Sequence, residues 1–399
     1  MTNWYCPLPF KHAFVTSNGI SACCQTPQQP VDLSQWTDSK YLKDFQEKIL
    51  SGQPPKECNG CVSQEKITGK SLRTDSLQDY DHQRFTDSNI DFVDYRANNI
   101  CNFKCRSCEP RFSHGIANET KNNLVLQKFH EVVNQKIVSV TDTNIEWIRQ
   151  NLPQIKRLML TGGEPTIIPE IRVMVERIVY DKLDTEIMIT TNGSFENDFW
   201  CELTRLHDNV HWTVSLDAVG PAAEIIRHGT EWQKVERNVR WLATNAASMN
   251  VNTVISSLNI LHLKPLLQFV KEIKKESIFP RGRHGEHGLR HQSTIVLLPN
   301  LLAAFNLPPE LKQHAISHVN ECLTMDLDQE QTQMLQGLLI QLQQSKFNPN
   351  AWHHNEMFNS ELDKIRSQNH LELYEKETFI NSKRRTYGNP IKLGTARSV

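Results

Sequence analysis

The sequence predicts an α/β fold built on a mostly parallel sheet, and three observations carry that expectation. Between about Asn89 and Pro299, short strand-like runs alternate with segments of helical periodicity, the mark of repeated βα units. Several of those runs end in polar, glycine-containing motifs, as strands of parallel sheets do where they build sites. The chain, at 399 residues with 38% hydrophobic and 22% charged composition, is long enough for two or three domains and polar enough for a globular one.

The first expected strand is Ile90–Arg96, IDFVDYR, and the second is Arg157–Thr161. Glu186–Thr191 alternates Ile187 and Ile189, and Val210–Leu216 alternates Val210, Trp212, Val214 and Leu216, which is the period of a half-buried strand. Val251–Ser256 is the fifth, and Thr294–Leu298, stopped by Pro299, the sixth. Between them lie helical stripes: Ile171, Met174, Val175 and Ile178 after Pro169; Trp232, Val235, Val239 and Leu242; and Leu263, Leu266, Leu267 and Val270. These faces read as core. From Leu301 to about Thr378 the chain is helical and rich in Gln and Leu, and Ser382–Val399 is a basic tail read as solvated.

Lys plus Arg number 44 and Asp plus Glu 45, so net charge provides no pull toward nucleic acid or an anionic membrane. No window approaches the ~20 apolar residues of a membrane span, and the first residues lack the pattern of an export signal, so a cytoplasmic protein is expected. There the cysteines at 6, 23, 24, 58, 61, 101, 105, 108, 201 and 322 meet a reducing medium, where metal binding or catalysis explains a cluster better than disulfides. Neither a phosphate-binding P-loop nor a nucleophile elbow nor a zinc-protease helix motif is present.

Directly after the first expected strand, CNFKCRSC sets Cys101, Cys105 and Cys108 in a Cys-x3-Cys-x2-Cys loop. Three thiolates can hold three irons of a cubane and leave the fourth iron open to another ligand. Zinc would want a fourth ligand, and His114 is within reach in sequence. The second strand closes in LTGGEP with Gly162, Gly163 and Glu164; the third in TTNG with Thr191, Asn192 and Gly193; the fourth in SLD with Ser215 and Asp217.

On these residues the chain resembles the radical SAM enzymes, which carry such a cysteine loop after the first strand of a partial (β/α)6 barrel of TIM type. The resemblance implies a 4Fe-4S cluster on Cys101, Cys105 and Cys108 with S-adenosylmethionine (SAM) chelating the open iron. It assigns SAM contacts to Gly162, Gly163, Glu164, Thr191, Asn192, Ser215 and Asp217, with the Glu164 carboxylate facing the SAM ammonium and Arg227, in IIRHG, meeting the SAM carboxylate. Reductive cleavage would then give a 5′-deoxyadenosyl radical that takes a hydrogen atom from a peptide or small-molecule substrate, with a flavodoxin- or ferredoxin-type protein as electron donor. Where the family often has an aromatic residue before the third cysteine, this chain has Ser107, so adenine packing must come from elsewhere, with Phe103 one contributor.

Nearer the start, Cys6, Gly19-x4-Cys24 and Cys58-x2-Cys61 are similar in order to the twitch and SPASM modules that hold auxiliary 4Fe-4S clusters, although such modules usually follow the barrel. Cys6, Cys24, Cys58 and Cys61 make one cluster's worth of ligands, with Cys24 preferred to Cys23 on its spacing from Gly19 and a four-thiolate zinc site as the alternative. Cys201 and Cys322 read as buried apolar residues. The expected organisation is an auxiliary-cluster segment over 1–75, the barrel over 76–300 and a helical extension over 301–399. RGRHGEHGLRH, Arg281–His291, reads as a cationic loop over the barrel mouth, and His353 and His354 as surface residues. A non-enzymatic iron-sulfur or zinc protein is the competing class, and the motifs at the strand ends count against it.

Overall fold

The structure is a computed structural model that describes residues 4–133, 137–277, 289–296 and 299–375. It divides into two compact units, one of Met1–Val254 with Leu266–Thr294 and the other of Ile255–Pro265 with the chain from Ile295 onward. Ten strands are described: β1 His12–Thr16, β2 Gly19–Ser21, β3 Phe92–Arg96, β4 Lys104–Cys105, β5 Arg157–Thr161, β6 Glu186–Thr191, β7 Val210–Ser215, β8 Arg227–His228, β9 Ser248–Ile255 and β10 Leu289–Ile295. Eight of them form one sheet in the order β10-β9-β7-β6-β5-β3-β1-β2, while β4 and β8 pair separately and antiparallel. The ladder from β1 through β3, β5, β6 and β7 to β9 is parallel, a mostly parallel sheet consistent with a partial TIM-type barrel.

The strands carry two faces because side chains alternate. One face is apolar: Leu158 and Leu160, Ile187 and Ile189, Val210, Trp212 and Val214 are buried, as are the helix residues Ile171, Met174, Val175 and Ile178 and, on the helix Trp232–Asn245, Val235, Val239 and Leu242. The opposite face presents Asp94, Arg96, Thr161, Thr190, Ser215 and Asn250 to a central cavity. Helices outside and polar groups inside is the division that lets a barrel hold chemistry.

The expected strands are present with shifted ends. The fifth begins at Ser248 rather than Val251, because the alternation of buried and half-buried residues runs back through Met249. The sixth is Leu289–Ile295 rather than Thr294–Leu298, whose residues 297 and 298 lie outside the described part. Residues 1–75 share the first unit with the sheet: β1 runs parallel to β3, with Ala13 opposite Val93, and turns back antiparallel into β2. Gly19 makes that turn possible; its φ is +122°, and a Cβ there would lie 2.0 Å from the Gln29 carbonyl oxygen. Ile20 and Gln29 exchange backbone hydrogen bonds at 2.9 and 2.7 Å across the same approach.

The second unit contains the helices Pro309–Leu323, Gln329–Gln344 and Pro349–Arg366. Buried Asn355 donates to Ser257 Oγ at 3.0 Å and to the Leu301 carbonyl at 2.7 Å, satisfying two polar groups of this core. No helix among the described residues is long and apolar enough to cross a membrane.

Candidate active site

A cavity of about 920 Å³ opens among the inward-facing residues of the sheet, and Cys101, Cys105 and Cys108 all line it. The loop that carries them is held at several points. Cys105 lies in β4 opposite Arg227 in β8. Ser113, the N-cap of the helix His114–Lys121, donates to the Phe103 carbonyl at 2.9 Å, and the backbone N–H of His114 donates to the Asn99 carbonyl at 2.7 Å. The Cys101 N–H donates to His114 Nδ1 at 3.2 Å, so that ring nitrogen supports the loop backbone.

The residues after β5 dock directly on this loop. Gly163 N–H donates to the Asn98 carbonyl at 3.0 Å and Glu164 N–H to the Ile100 carbonyl at 2.8 Å. A Cβ on Gly163 would sit 1.9 Å from the Ile100 carbonyl oxygen, so the second glycine of GGEP is required by the backbone leading to Cys101.

Glu164 is buried and heavily solvated by protein. Its Oε1 accepts from Thr191 Oγ1 at 2.7 Å and Thr166 Oγ1 at 2.6 Å, and its Oε2 from the Asn192 N–H at 2.7 Å. Burial raises its pKa above the ordinary carboxylate value, and these donors pull the other way. Thr191 and Asn192 therefore organise the Glu164 carboxylate and also line the cavity with it. Ser215 lines the same cavity.

Arg227 lines the cavity as well and donates from Nη1 to Asp217 Oδ2 at 3.0 Å. Asp217 Oδ1 accepts from the Val254 N–H at 2.9 Å; it stands behind the arginine and is not among the cavity-lining residues. Burial opposes the charge on Arg227, but Cys105 and Asp217 outweigh it and leave the guanidinium more basic than usual. Arg227 Nε is buried with no hydrogen-bond partner among the described residues.

The thiols fit a cationic guest. Burial pushes Cys108 up to about 12, with Cys105 adding to the shift and Arg227 opposing it, and burial together with Cys105 raises Cys101 further. Such thiols become thiolates when a metal centre supplies positive charge, so the donor set suits an iron-sulfur cluster.

A second, small cavity of about 20 Å³ is lined by Cys6, Cys23, Cys58 and Cys61. Burial pushes Cys23 up to about 11 and Cys58 up to about 12, and both also feel the charge of Cys61. Cys23, and not the Cys24 preferred on sequence spacing, lies with the other three around this cavity. The cause is the turn at Cys23–Thr26, where Cys23 N–H donates to Thr26 Oγ1 at 3.2 Å and Thr26 N–H to the Cys23 carbonyl at 3.1 Å. Cys24 lines the large cavity, which Cys23 also borders, and is absent from the small one. Among the described residues no group of three or more His, Cys, Asp or Glu side chains is placed to hold a single metal ion.

Other expectations resolve individually. Residues 281–288 of the histidine-rich segment lie outside the described part, but His291 is buried on β10, where its Nε2 pairs with Thr253 Oγ1 at 2.9 Å, and so is no loop residue. Cys201 and Cys322 are buried on helices, and His353 and His354 are exposed on theirs. Phe103 is buried at the cavity wall. Asp94, Arg96 and Asn102 were not singled out from the sequence; the signal for the first two is the polar alternation within the first strand.

Residues 95–270 match the sequence profile of the Radical SAM superfamily. A GTP 3′,8-cyclase from Campylobacter jejuni subsp. doylei is 26% identical over 220 residues, covering 53% of this chain and 64% of that protein. A probable GTP 3′,8-cyclase from Methanocaldococcus jannaschii is 26% identical over 123 residues, 30% of this chain and 40% of that one. The chain thus spans less than two thirds of the length of these curated relatives. Among solved structures, native anSMEcpe with bound AdoMet has a TM-score of 0.36 at 17% identity, over 57% of this chain and 58% of that one. Streptococcus suis SuiB bound to S-adenosylmethionine has a TM-score of 0.37 at 13% identity, over 73% and 60%. The profile match covers the cysteine loop and the motifs at the strand ends, so residues 95–270 form a radical SAM domain.

Proposed function

We propose that this enzyme holds a 4Fe-4S cluster on Cys101, Cys105 and Cys108, binds SAM beside it, and removes a hydrogen atom from a peptide or small-molecule substrate. An auxiliary 4Fe-4S cluster on Cys6, Cys23, Cys58 and Cys61 completes the reading, with a flavodoxin- or ferredoxin-type protein as the source of electrons. The observation that carries it is the convergence of three thiols, an organised carboxylate at Glu164 and a guanidinium edge at Arg227 on one cavity. When bound, the cluster and SAM supply a 5′-deoxyadenosyl radical by reductive cleavage of the sulfonium.

The protein's own part is electrostatic and positional. Glu164, with donors already on both oxygens, offers its remaining lone pairs to the SAM ammonium without having to reorganise. Arg227, oriented by Asp217, presents Nε to the SAM carboxylate. The sheet's polar inner face surrounds the reacting groups, and closing such a cavity against water protects a radical. Housing the auxiliary cubane requires the four thiols around the smaller cavity to spread. A reducing, cytoplasmic setting goes with this reading, because it keeps those thiols free. The relatives named GTP 3′,8-cyclase bring a nucleotide into the range of small molecules to be tested.

Anaerobic purification followed by iron and sulfide analysis and a dithionite assay of SAM cleavage tests the proposal. Two cubanes correspond to roughly eight irons per chain. The triple variant Cys101→Ala, Cys105→Ala, Cys108→Ala is expected to keep about half of that iron and to lose cleavage. Zinc without iron, or cleavage that persists in the variant, rejects it.

A further inference from the structure

We propose that Arg96, set against the rings of Phe14 and Phe112 at the cavity wall, anchors a single carboxylate of the substrate, while Asp94 on the same strand face accepts a hydrogen bond from a donor group of that substrate. The inference rests on the cavity being the active site and names the class of molecule it takes.

The alternation of β3 puts Phe92, Asp94 and Arg96 on the cavity side and buries Val93 and Tyr95 on the other. Arg96 ends the strand, opposite Thr161 of β5. Its guanidinium lies 4.6 Å from the ring centroid of Phe14 and 5.5 Å from that of Phe112. Rings on a planar cation hold its plane and leave its N–H edge free, the arrangement that suits a fork-like grip on a carboxylate. Arg96 Nε is buried and has no hydrogen-bond partner among the described residues, a donor that an incoming acceptor would satisfy.

Asp94 is 7% exposed, and only its Oδ1 is engaged by a described residue, accepting from Thr161 Oγ1 at 3.2 Å. Cys24 belongs to the same corner: after burial, the strongest influences on its thiol are Asp94, which disfavours the thiolate, and Arg96, which favours it. The loop after β2 thereby borders the subsite.

Charge decides the ligand. The other arginines at this cavity face carboxylates: Arg227 pairs with Asp217, Arg157 with Asp79 and Glu186 at 3.0 Å each, and Arg290 acts on Asp75. Arg96 acts on the charge of Asp94 two residues away, but no hydrogen bond joins them among the described residues, so its N–H fork stays open to one carboxylate beside one donor. A polyphosphate would want several cations and would be repelled by Asp94. An acidic amino-acid side chain with an adjoining N–H fits.

Equilibrium dialysis of the anaerobically loaded full chain against labelled N-acetylglutamate methylamide and its neutral isostere, N-acetylglutamine methylamide, tests this. The acid is expected to bind at least about tenfold tighter, the scale of a charge-assisted hydrogen bond. Arg96→Gln is expected to erase that preference and Arg96→Lys, which keeps the charge and loses the fork, to retain a fraction of it. Equal binding of acid and amide by the wild type, undiminished preference in Arg96→Gln, or displacement of the acid by lower concentrations of tripolyphosphate than of unlabelled acid would each overturn the proposal. The wild-type comparison needs no variant to fold. SAM cleavage measured on that same wild-type sample separates the two readings: cleavage without acid preference sinks only the carboxylate site, and absence of cleavage sinks the assignment beneath it.

Discussion

Asn192 donates from Nδ2 to Oδ1 of Asn102 at 2.9 Å, and Asn102 donates from its own Nδ2 to Ser194 Oγ at 2.8 Å. The loop after β6 is thereby tied to a residue lying between two cysteines of the trio. In a double-mutant cycle of Asn102→Ala and Asn192→Ala, urea unfolding is expected to give a coupling of about 1 kcal/mol, the worth of one such bond. Additive losses would show that the two loops do not hold each other.

Gly163→Ala places a methyl group where the Ile100 carbonyl already stands, backbone against backbone. The cost is expected at about 1–3 kcal/mol, as for an overpacked core position. Because the displaced loop segment leads into Cys101, iron bound to the trio should fall with stability. Denaturation and iron analysis of the same sample test both effects.

Cys23 borders both cavities, whereas Cys24 lines the large one and not the small one. Cys23→Ala is expected to lose about half of the roughly eight irons, and Cys24→Ala to keep them all. The reverse result would restore the ligand choice made from sequence spacing.

Asp217 is buried against Arg227, so deleting only the carboxylate strands a guanidinium. Asp217→Ala is expected to cost about 3–5 kcal/mol, and the paired change Asp217→Leu with Arg227→Leu markedly less. Chemical denaturation of the three proteins distinguishes this from a simple loss of packing, in which the double variant would be the worse.

His12 is buried, its ring nitrogen Nδ1 donates to the Ala22 carbonyl at 2.9 Å, and burial lowers its pKa to about 4 despite that bond. The unfolded chain takes up the proton near 6.5, so between the two values it binds more protons than the folded chain does, and stability falls as pH falls. From pH 7 to pH 5 the loss from this one group is about 2 kcal/mol. His12→Gln should remove that slope in urea unfolding; an unchanged slope would mean the ring is not neutral in the fold.

The legible part of the sequence was local. Alternation in Val210–Leu216 and the stripe Ile171, Met174, Val175 and Ile178 reflect burial on one face, and every one of those residues faces the core. The motifs GGEP and TNG stood out because backbone approach restricts Gly163 and because Asn192 bonds a neighbouring loop. β1 was missed because its partner, β3, lies far along the chain, and nothing within His12–Thr16 announces a pairing that distant. Cys24 was preferred to Cys23 because spacing is blind to a turn closed by the Thr26 side chain. Asp94 and Arg96 were visible as polar residues at alternate positions, but a charged residue in a strand has no meaning until the inside of the sheet is known.

The pairing of β1 with β3 also bears on how the protein can be dissected. Cutting away the cysteine-bearing leader would strip β3 of its neighbour and leave a raw ladder of amide and carbonyl groups, a surface that invites self-association. A truncated barrel would precipitate for reasons unrelated to lost iron, so point substitutions, and not deletions, are the instrument for asking what the first cysteines contribute.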